Sequence, residues 1–349
     1  MPIVAETVDA VVGGDTHRDQ HVLEMVTASG VVLAQTSVAN SEQGFVAALT
    51  WMAEQAPGSR VLVALEGTRS YGVGLARAVQ AAGWWVVEAE PSRRVRGRGK
   101  SDALDAHTAA VQALRCDAQQ LPSPRADGDR EALRILLSTR QALNGDKIRS
   151  TNRLRALLLT SSDEHRSLSR AALSETVLTE LSQQHSQDGD WHQQVLTEAI
   201  AALAGEILRL RQRLTRNKEQ LAAIVGEMAP QLLAKHGVGA LTGAQTLVSF
   251  SHPGRCRNEA AFAALAGVSP IPASSGNTVR HRLNRGGDRA LNRTIHAIAI
   301  TRWATCPRTH AYITKRRQQG NTNREIQRLL KRYIARELFK TLTTTPGQP

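Results

Sequence analysis

Four carboxylates carry the chemistry this sequence most directly offers. Asp15 ends one apolar run (AVVGGD) and Glu66 follows another (VLVAL). Asp102 and Asp105 stand three apart just after a basic, glycine-bearing stretch. Residues three apart share a helix face, and a first-turn position sets both acids near the positive end of the helix dipole. Converging carboxylates repel one another unless cations lie between them. Two magnesium ions about 4 Å apart would meet that need and suit phosphodiester chemistry, and manganese shares the preference for oxygen ligands. Each acid alone has a plainer reading: a helix cap for Asp102, a solvated helix residue for Asp105, a turn acid for Glu66. In combination, at these places in the order of elements, they point to a metal site. His17 and His21 are near Asp15 in sequence, but a His is more often a core or surface residue than a ligand, and neither is assigned a role.

A sheet must bring the acids together. Ala10–Asp15, His21–Thr27 and Val31–Val38 read as three closely spaced strands, with the turn Ala28-Ser29-Gly30 between the last two, so an antiparallel meander is expected. Ser41 suits the N-cap of a helix reaching about Gln55. Val61–Leu65 is continuously apolar, as a central strand buried on both faces would be. A helix over about Tyr71–Ala82 and a strand over Trp84–Glu88 follow. The order β-β-β-α-β-α-β is that of the ribonuclease H fold, an analogy that a site must support. If the first and fourth strands are neighbours, Asp15 and Glu66 emerge at one sheet edge.

Residues 91–100 (PSRRVRGRGK) break the pattern as a loop, with Arg93, Arg94, Arg96, Arg98 and Lys100 as a basic patch beside the acids. A helix from about Ser101 to Arg115 comes next, and Pro122-Ser123-Pro124 marks a linker. From Asp127 to Met228 apolar residues recur at helical spacing: Leu133, Leu136, Leu137, Leu143 and Ile148, then Leu154, Leu157 and Leu158. On a second long helix over about Trp191–Val225 they are Leu203, Ile207, Leu210, Leu214, Leu221 and Ile224. Polar Gln183–Asp190 is the expected turn of an antiparallel helical hairpin or coiled coil, whose plain role is oligomerisation or spacing. The remainder reads as mainly helical, from a Gly237/Gly239 turn between helices to a last helix over about Asn323–Leu342. The domain bounds expected are 1–121, 122–230 and 231–349.

The net charge of +13 predicts a polyanionic partner, and its location says more. Gln231–Pro349 holds 19 Lys and Arg against 4 Asp and Glu, a net +15, leaving the first 230 residues near neutral. Arg285, Arg289 and Arg293 recur at i, i+4 and i+8. With Arg280 and Arg282 they are candidate phosphate contacts. Aromatics make up only 3% of the chain, so phosphate contacts are expected to outweigh base stacking. Cys116, Cys256 and Cys306 lie outside any CxxC spacing, which disfavours a structural zinc or a disulfide framework and suits a reducing cytosol. No signal pattern or membrane-length apolar run is present, so a cytoplasmic protein with no membrane partner is expected.

Gly14-Asp15-Thr16-His17-Arg18-Asp19, Leu65-Glu66-Gly67-Thr68 and Gly99-Lys100-Ser101-Asp102-Ala103-Leu104-Asp105-Ala106 resemble the motifs of the DEDD transposases of bacterial insertion sequences. These form the one-ten family, related to the pilin-gene invertase. Arg18 stands where a Lys is common, which keeps the charge. Gly267-Val268-Ser269-Pro270-Ile271-Pro272-Ala273-Ser274-Ser275-Gly276 looks like the family's second signature, in which a serine shortly before Gly is the nucleophile. Spacing selects Ser274, with Ser275 the alternative. The resemblance implies a RuvC-type ribonuclease H domain bearing the four acids, a helical middle and a mainly α transposase domain. It also implies attack of Ser274 on a DNA phosphate to give a covalent phosphoserine, then exchange and religation. The implied partners are donor and target DNA, a structured non-coding guide RNA, and further copies of the chain as a dimer or dimer of dimers sharing acids and serine between subunits. Two other readings compete: a RuvC-type junction endonuclease that uses the acids and water without a covalent step, and a non-catalytic nucleic-acid-binding protein.

Overall fold

Strands β1 (Ala10–Thr16), β2 (Gln20–Thr27) and β3 (Val32–Ala39) form an antiparallel meander. β4 (Val61–Leu65) and β5 (Trp85–Glu88) run parallel to β1, in the sheet order β3-β2-β1-β4-β5. The structure is a computed structural model describing residues 2–89, 102–118, 121–185, 190–252, 254–272, 281–282, 284 and 286–344, with backbone alone for 102, 103, 272, 281 and 282. Strand alternation sorts the side chains to two faces. Ala10, Val12, Val61, Val63 and Leu65 join a core with α1 (Glu42–Gln55) and α2 (Val73–Ala81), through Ala48, Met52, Leu75 and Val79. Val11, Val26, Leu62, Ala64 and Val87 face α3 (Asp102–Leu114), through Ala110, Ala113 and Leu114. As expected, the Ser41 hydroxyl caps α1, accepting from Gly44 N at 3.2 Å.

The chain divides into two compact units, each discontinuous. The first is Met1–Glu131 with Phe250–Phe262, and the second is Ala132–Ser249 with Ala263–Pro349. In the first, Phe250 meets Phe262 edge-on at 6.2 Å, and Arg125 Nη1 donates to Ser251 Oγ at 2.9 Å. The returning segment is therefore built into the α/β unit.

The second unit is helical. α4 (Gly128–Thr160), which starts in the first unit, and α7 (Trp191–Met228) are antiparallel. Asn217 Nδ2 donates to Leu136 O, Arg140 Nη1 donates to Leu214 O, and Leu154 and Leu158 share a core with Ile200, Ala204 and Ile207. The sequence suggests one unbroken first arm, but α4 stops at Thr160. Two short helices follow, α5 (Asp163–Leu168) and α6 (Glu175–Ser182), because Ser162 and Ser174 each cap a new start. α6 then fills the α7 groove with Leu178 and Leu181. Beyond α8 (Pro230–Leu233) a Gly237-Val238-Gly239 turn leads to α9 (Ala240–Phe250) and α10 (Glu259–Leu265). A short hairpin not expected from sequence, β6 (Ile271–Pro272) with β7 (His281–Arg282), precedes α11 (Arg289–Thr305), α12 (Pro307–Gln318) and α13 (Asn323–Thr343). Among the described residues no helix is long and apolar enough to cross a membrane.

Candidate active site

Register places the first two acids. β1 and β4 pair in parallel as far as Gly14 and Leu65, and Glu66 N donates to Gly14 O at 2.9 Å. Asp15 and Glu66 therefore follow side by side at the carboxyl edge of the sheet. Alternation puts both on the α3 face, in phase with Val11 and with Leu62 and Ala64. Asp15 is buried and Glu66 half-buried. The chain turns away at once through Gly67 (φ +62°), where any β-carbon would lie 2.7 Å from Thr16 Oγ1. The same Thr16 hydroxyl donates to Glu66 O at 2.8 Å and ties the two strand ends together.

Helix α3 delivers the other two acids. Its far end lies at the amino end of β1, where Val4 N donates to Cys116 O at 2.9 Å and Val4 joins the core with Leu114. Its middle lies over Gly13, where an added β-carbon would stand 2.0 Å from Ala106 O and 2.7 Å from Ala110 N. The helix therefore runs antiparallel to β1, and its first turn reaches the edge that carries Asp15. Asp102 is the first residue of α3, its side chain outside the described set, and Asp105 is half-buried one turn on.

Two interactions around the acids were not assigned from sequence. His17 Nε2 and Asp15 Oδ2 are 3.0 Å apart, so His17 orients that carboxylate. Glu24, buried on β2 directly opposite Gly13, accepts from His107 Nδ1 at 2.5 Å and fixes α3 to the sheet. The available signal was a lone acid inside the apolar strand HVLEMVT, on the side-chain parity that faces α3. His21 is fully buried on the other face and stacks on Phe45 at 6.0 Å, a core histidine.

Carboxylate oxygens are hard donors that suit a divalent cation such as magnesium. Among the described residues no three His, Cys, Asp or Glu side chains already form a metal-holding group, and that set lacks the Asp102 side chain. The backbone nonetheless gathers acid-bearing positions from β1, β4 and α3 at one edge, and the donor set fits such an ion.

Glu88, which ends β5 opposite Leu65 in the sheet, belongs to a charged cluster. Arg125 grips Glu88 with two hydrogen bonds of 2.7 and 2.6 Å, and its third donor reaches Ser251, whose φ of 69° is left-handed. Burial alone would raise the Glu88 pKa, but the Arg125 hydrogen bonds and charge outweigh it and hold the carboxyl below its usual range. His252 is pushed down to about 4, first by burial and then by Arg125, Arg255 and Arg130, against a weaker opposing pull from Glu88. The unfolded chain therefore takes up this proton before the folded one does. His252 contributes stability that is full above about pH 6.5 and is lost as pH falls toward 4. In denaturant titrations, His252→Gln is expected to show a smaller loss of stability between pH 7 and pH 4.5 than the parent protein. Equal losses would refute it.

Residues 273–280, with Ser274, Ser275 and Arg280, lie outside the described residues, as do Arg93, Arg94, Arg96, Arg98, Lys100, Arg285 and the Arg282 side chain. The roots of the serine segment are well defined. Asp288 N donates to Leu265 O at 2.7 Å, Asn292 Nδ2 donates to Ala266 O at 2.7 Å, and Gly287 (φ +88°) leaves no room for a side chain against Leu265 O. Asp288 also caps α11 through Ala290 N and Leu291 N. The helix thus starts at Arg289. Arg289 and Arg293 are exposed one turn apart on it, and Arg285 lies outside the described residues.

Residues 12–162 match the transposase family model of the DEDD, IS110 type, and residues 229–314 match the transposase model of the IS116/IS110/IS902 family. The chain is also 26% identical over 146 residues to the insertion element IS110 uncharacterized 43.6 kDa protein of Streptomyces coelicolor (strain ATCC BAA-471 / A3(2) / M145). That match covers 41% of this chain and 36% of the relative, so it spans about a third of the relative's length. The first model spans the segments bearing all four acids and the second the segment bearing Ser274, both from one family and in sequence order, and the chain belongs to the IS110 family of transposases.

Proposed function

We propose that this protein cuts and rejoins DNA strands for an insertion sequence, with a RuvC-like ribonuclease H domain as its acidic half-site and Ser274 as its nucleophile. The observation that carries the reading is the arrival of Asp15, Glu66 and the first turn of α3 at one edge and one face of the sheet. That sheet order, with α3 laid over Gly13, supports the ribonuclease H-like reading. Asp15, Glu66, Asp102 and Asp105 would hold divalent cations, magnesium above all. Such ions, when bound, supply electrostatic stabilisation to a phosphoryl group in transfer.

The chain's own residues then divide the remaining work. The Ser274 hydroxyl is hardly ionised at neutral pH and must lose its proton to a base as it attacks. Its Oγ forms a bond to phosphorus as a deoxyribose oxygen leaves and takes up a proton, giving a serine–phosphate diester. Attack by the hydroxyl of another strand reverses the exchange and frees the serine. Bond count and charge balance without water, so strands are exchanged and not hydrolysed. Exposed Arg289 and Arg293 suit backbone contacts, and the Arg93–Lys100 stretch, Arg280, Arg282 and Arg285 extend the set. The antiparallel α4–α7 hairpin, as a coiled coil, would pair subunits so that one chain's acids meet another's serine. A structured guide RNA would select donor and target.

Ser274→Ala tests the covalent step. It is expected to abolish strand transfer and the protein–DNA adduct seen after denaturation, while Ser275→Ala retains both. A Ser274→Ala protein that still cleaves junctions by hydrolysis would favour the endonuclease reading, and normal recombination would refute the proposal.

A further inference from the structure

The last two helices carry a surface that neither the acids nor Ser274 explain. Pro307–Thr343 holds ten Lys and Arg against two Glu. On α13, Arg324, Arg328, Arg332, Arg336 and Lys340 recur at every fourth residue, a line about 24 Å long. Four of the five are exposed and Arg332 is half-buried, while Ile326, Leu330, Ile334 and Leu338 hold the other side of the helix in the core.

Like charges four apart on a helix repel and reduce its stability. Arg324 and Arg328 also lie toward the amino end, where the dipole disfavours cations. Five cations in one row, on the side of the helix turned away from its buried residues, are matched to a polyanion.

Aromatic side chains lie beside the row, in a chain that has only three tyrosines. Two of them meet here: Tyr312 of α12 and Tyr333 of α13 are edge-on at 5.6 Å, and Tyr333 is 48% exposed. The Arg316 guanidinium lies 5.3 Å from the Tyr312 ring centre and donates to its hydroxyl, which fixes that ring and backs Tyr333. Arg317 lies 6.0 Å from the Trp303 ring centre and donates to Asn323 Oδ1 at 3.1 Å. A duplex buries its bases and has no use for an exposed ring beside its backbone. An unpaired base can stack on one, and arginine nearby strengthens such contacts.

We propose that the α12–α13 face holds a single-stranded segment of nucleic acid, its backbone along Arg324–Lys340 and a base stacked on Tyr333. The proposal rests on the nucleic-acid function above and adds to it a strand-holding surface built from residues other than the acids and Ser274.

The test measures equilibrium binding of the full chain to a 20-nucleotide dT strand, a 20-nucleotide U strand and a 20-base-pair DNA duplex, in chelator so that no cleavage occurs. Tyr333→Ala is expected to weaken strand binding about tenfold and leave the duplex unchanged, with Tyr333→Trp restoring it. Loss on either strand supports the proposal, and the strand that loses more identifies DNA or RNA as the source. Arg324→Gln, Arg328→Gln and Lys340→Gln combined should lower the slope of log affinity against log salt by about 2 on single strands. Unchanged strand affinity in Tyr333→Ala, equal loss on the duplex, or an unchanged salt slope in the triple variant would each overturn it. Binding in chelator is independent of the acids. Strand binding that responds as expected in a protein lacking DNA cleavage would leave this surface standing while the recombinase reading fell, and the converse result would do the opposite.

Discussion

Asp15→Asn is expected to reduce DNA strand cleavage by about a thousandfold or more, on the order of 4 kcal/mol of lost transition-state stabilisation. The substitution keeps the shape of a buried side chain and a hydrogen-bonding partner for His17 3.0 Å away, so the fold should persist. Two measurements separate the metal role from a structural one. Magnesium should raise the melting temperature of the parent protein, because a ligand that binds only the folded state stabilises it by mass action, by about 2.7 kcal/mol at a hundred times its Kd. In Asp15→Asn that rise should largely vanish. In chelator the variant should be no less stable than the parent, since removing one of several crowded carboxylates relieves repulsion. Near-parental cleavage by the variant would sink the assignment, as would full recombination by the parent protein in excess chelator.

Gly13→Ala is expected to damage both stability and activity, though it adds one methyl group and touches no acid. The new β-carbon would stand 2.0 Å from the main-chain oxygen of Ala106, an atom that cannot swing aside, so α3 must lift. Overpacking of this kind costs about 1–3 kcal/mol, which for a unit of this size corresponds to a fall of roughly 3–10 °C in melting temperature. Displacement of the helix also moves Asp102 and Asp105 away from β1, and misplacement by about 1 Å costs on the order of a hundredfold in rate. Gly226→Ala is the control: it lies inside α7 with open space around it and should stabilise by about 0.5–1 kcal/mol. If Gly13→Ala melts and cleaves like the parent, α3 is not held by contact at Gly13.

Much of the first unit was legible because its signals are local. Alternation in HVLEMVT, the unbroken VLVAL run and the Ser41 cap each fix an element without reference to the rest of the chain, and their order fixes the sheet. The sheet edge shared by Asp15 and Glu66 followed from strand pairing alone. What stayed hidden depends on distant partners. Nothing near Glu24 in sequence announces His107, and Gly13 reads as one more strand residue until α3 is seen to pass over it. The break at Thr160 was missed because Leu154, Leu157 and Leu158 continue the helical period up to two serines, where caps outweigh periodicity. The basic row on α13 stands at four-residue spacing in the sequence, but only the burial of Ile326, Leu330, Ile334 and Leu338 shows which side of the helix faces out.

The return of Phe250–Phe262 to the first unit has a consequence for how the protein is made. A ribosome releases the whole meander, α3 and the start of α4 long before it makes Ser251 and Phe262, the latter fully buried in the finished protein. The α/β unit can reach its final state only after some hundred further residues, most of them in the α4–α7 hairpin, have emerged. Contacts across so long a separation form slowly, and the growing chain carries an unfinished surface in the meantime. Cutting the gene at the linker before α4 would therefore yield not a free-standing acidic domain but one that lacks its last piece.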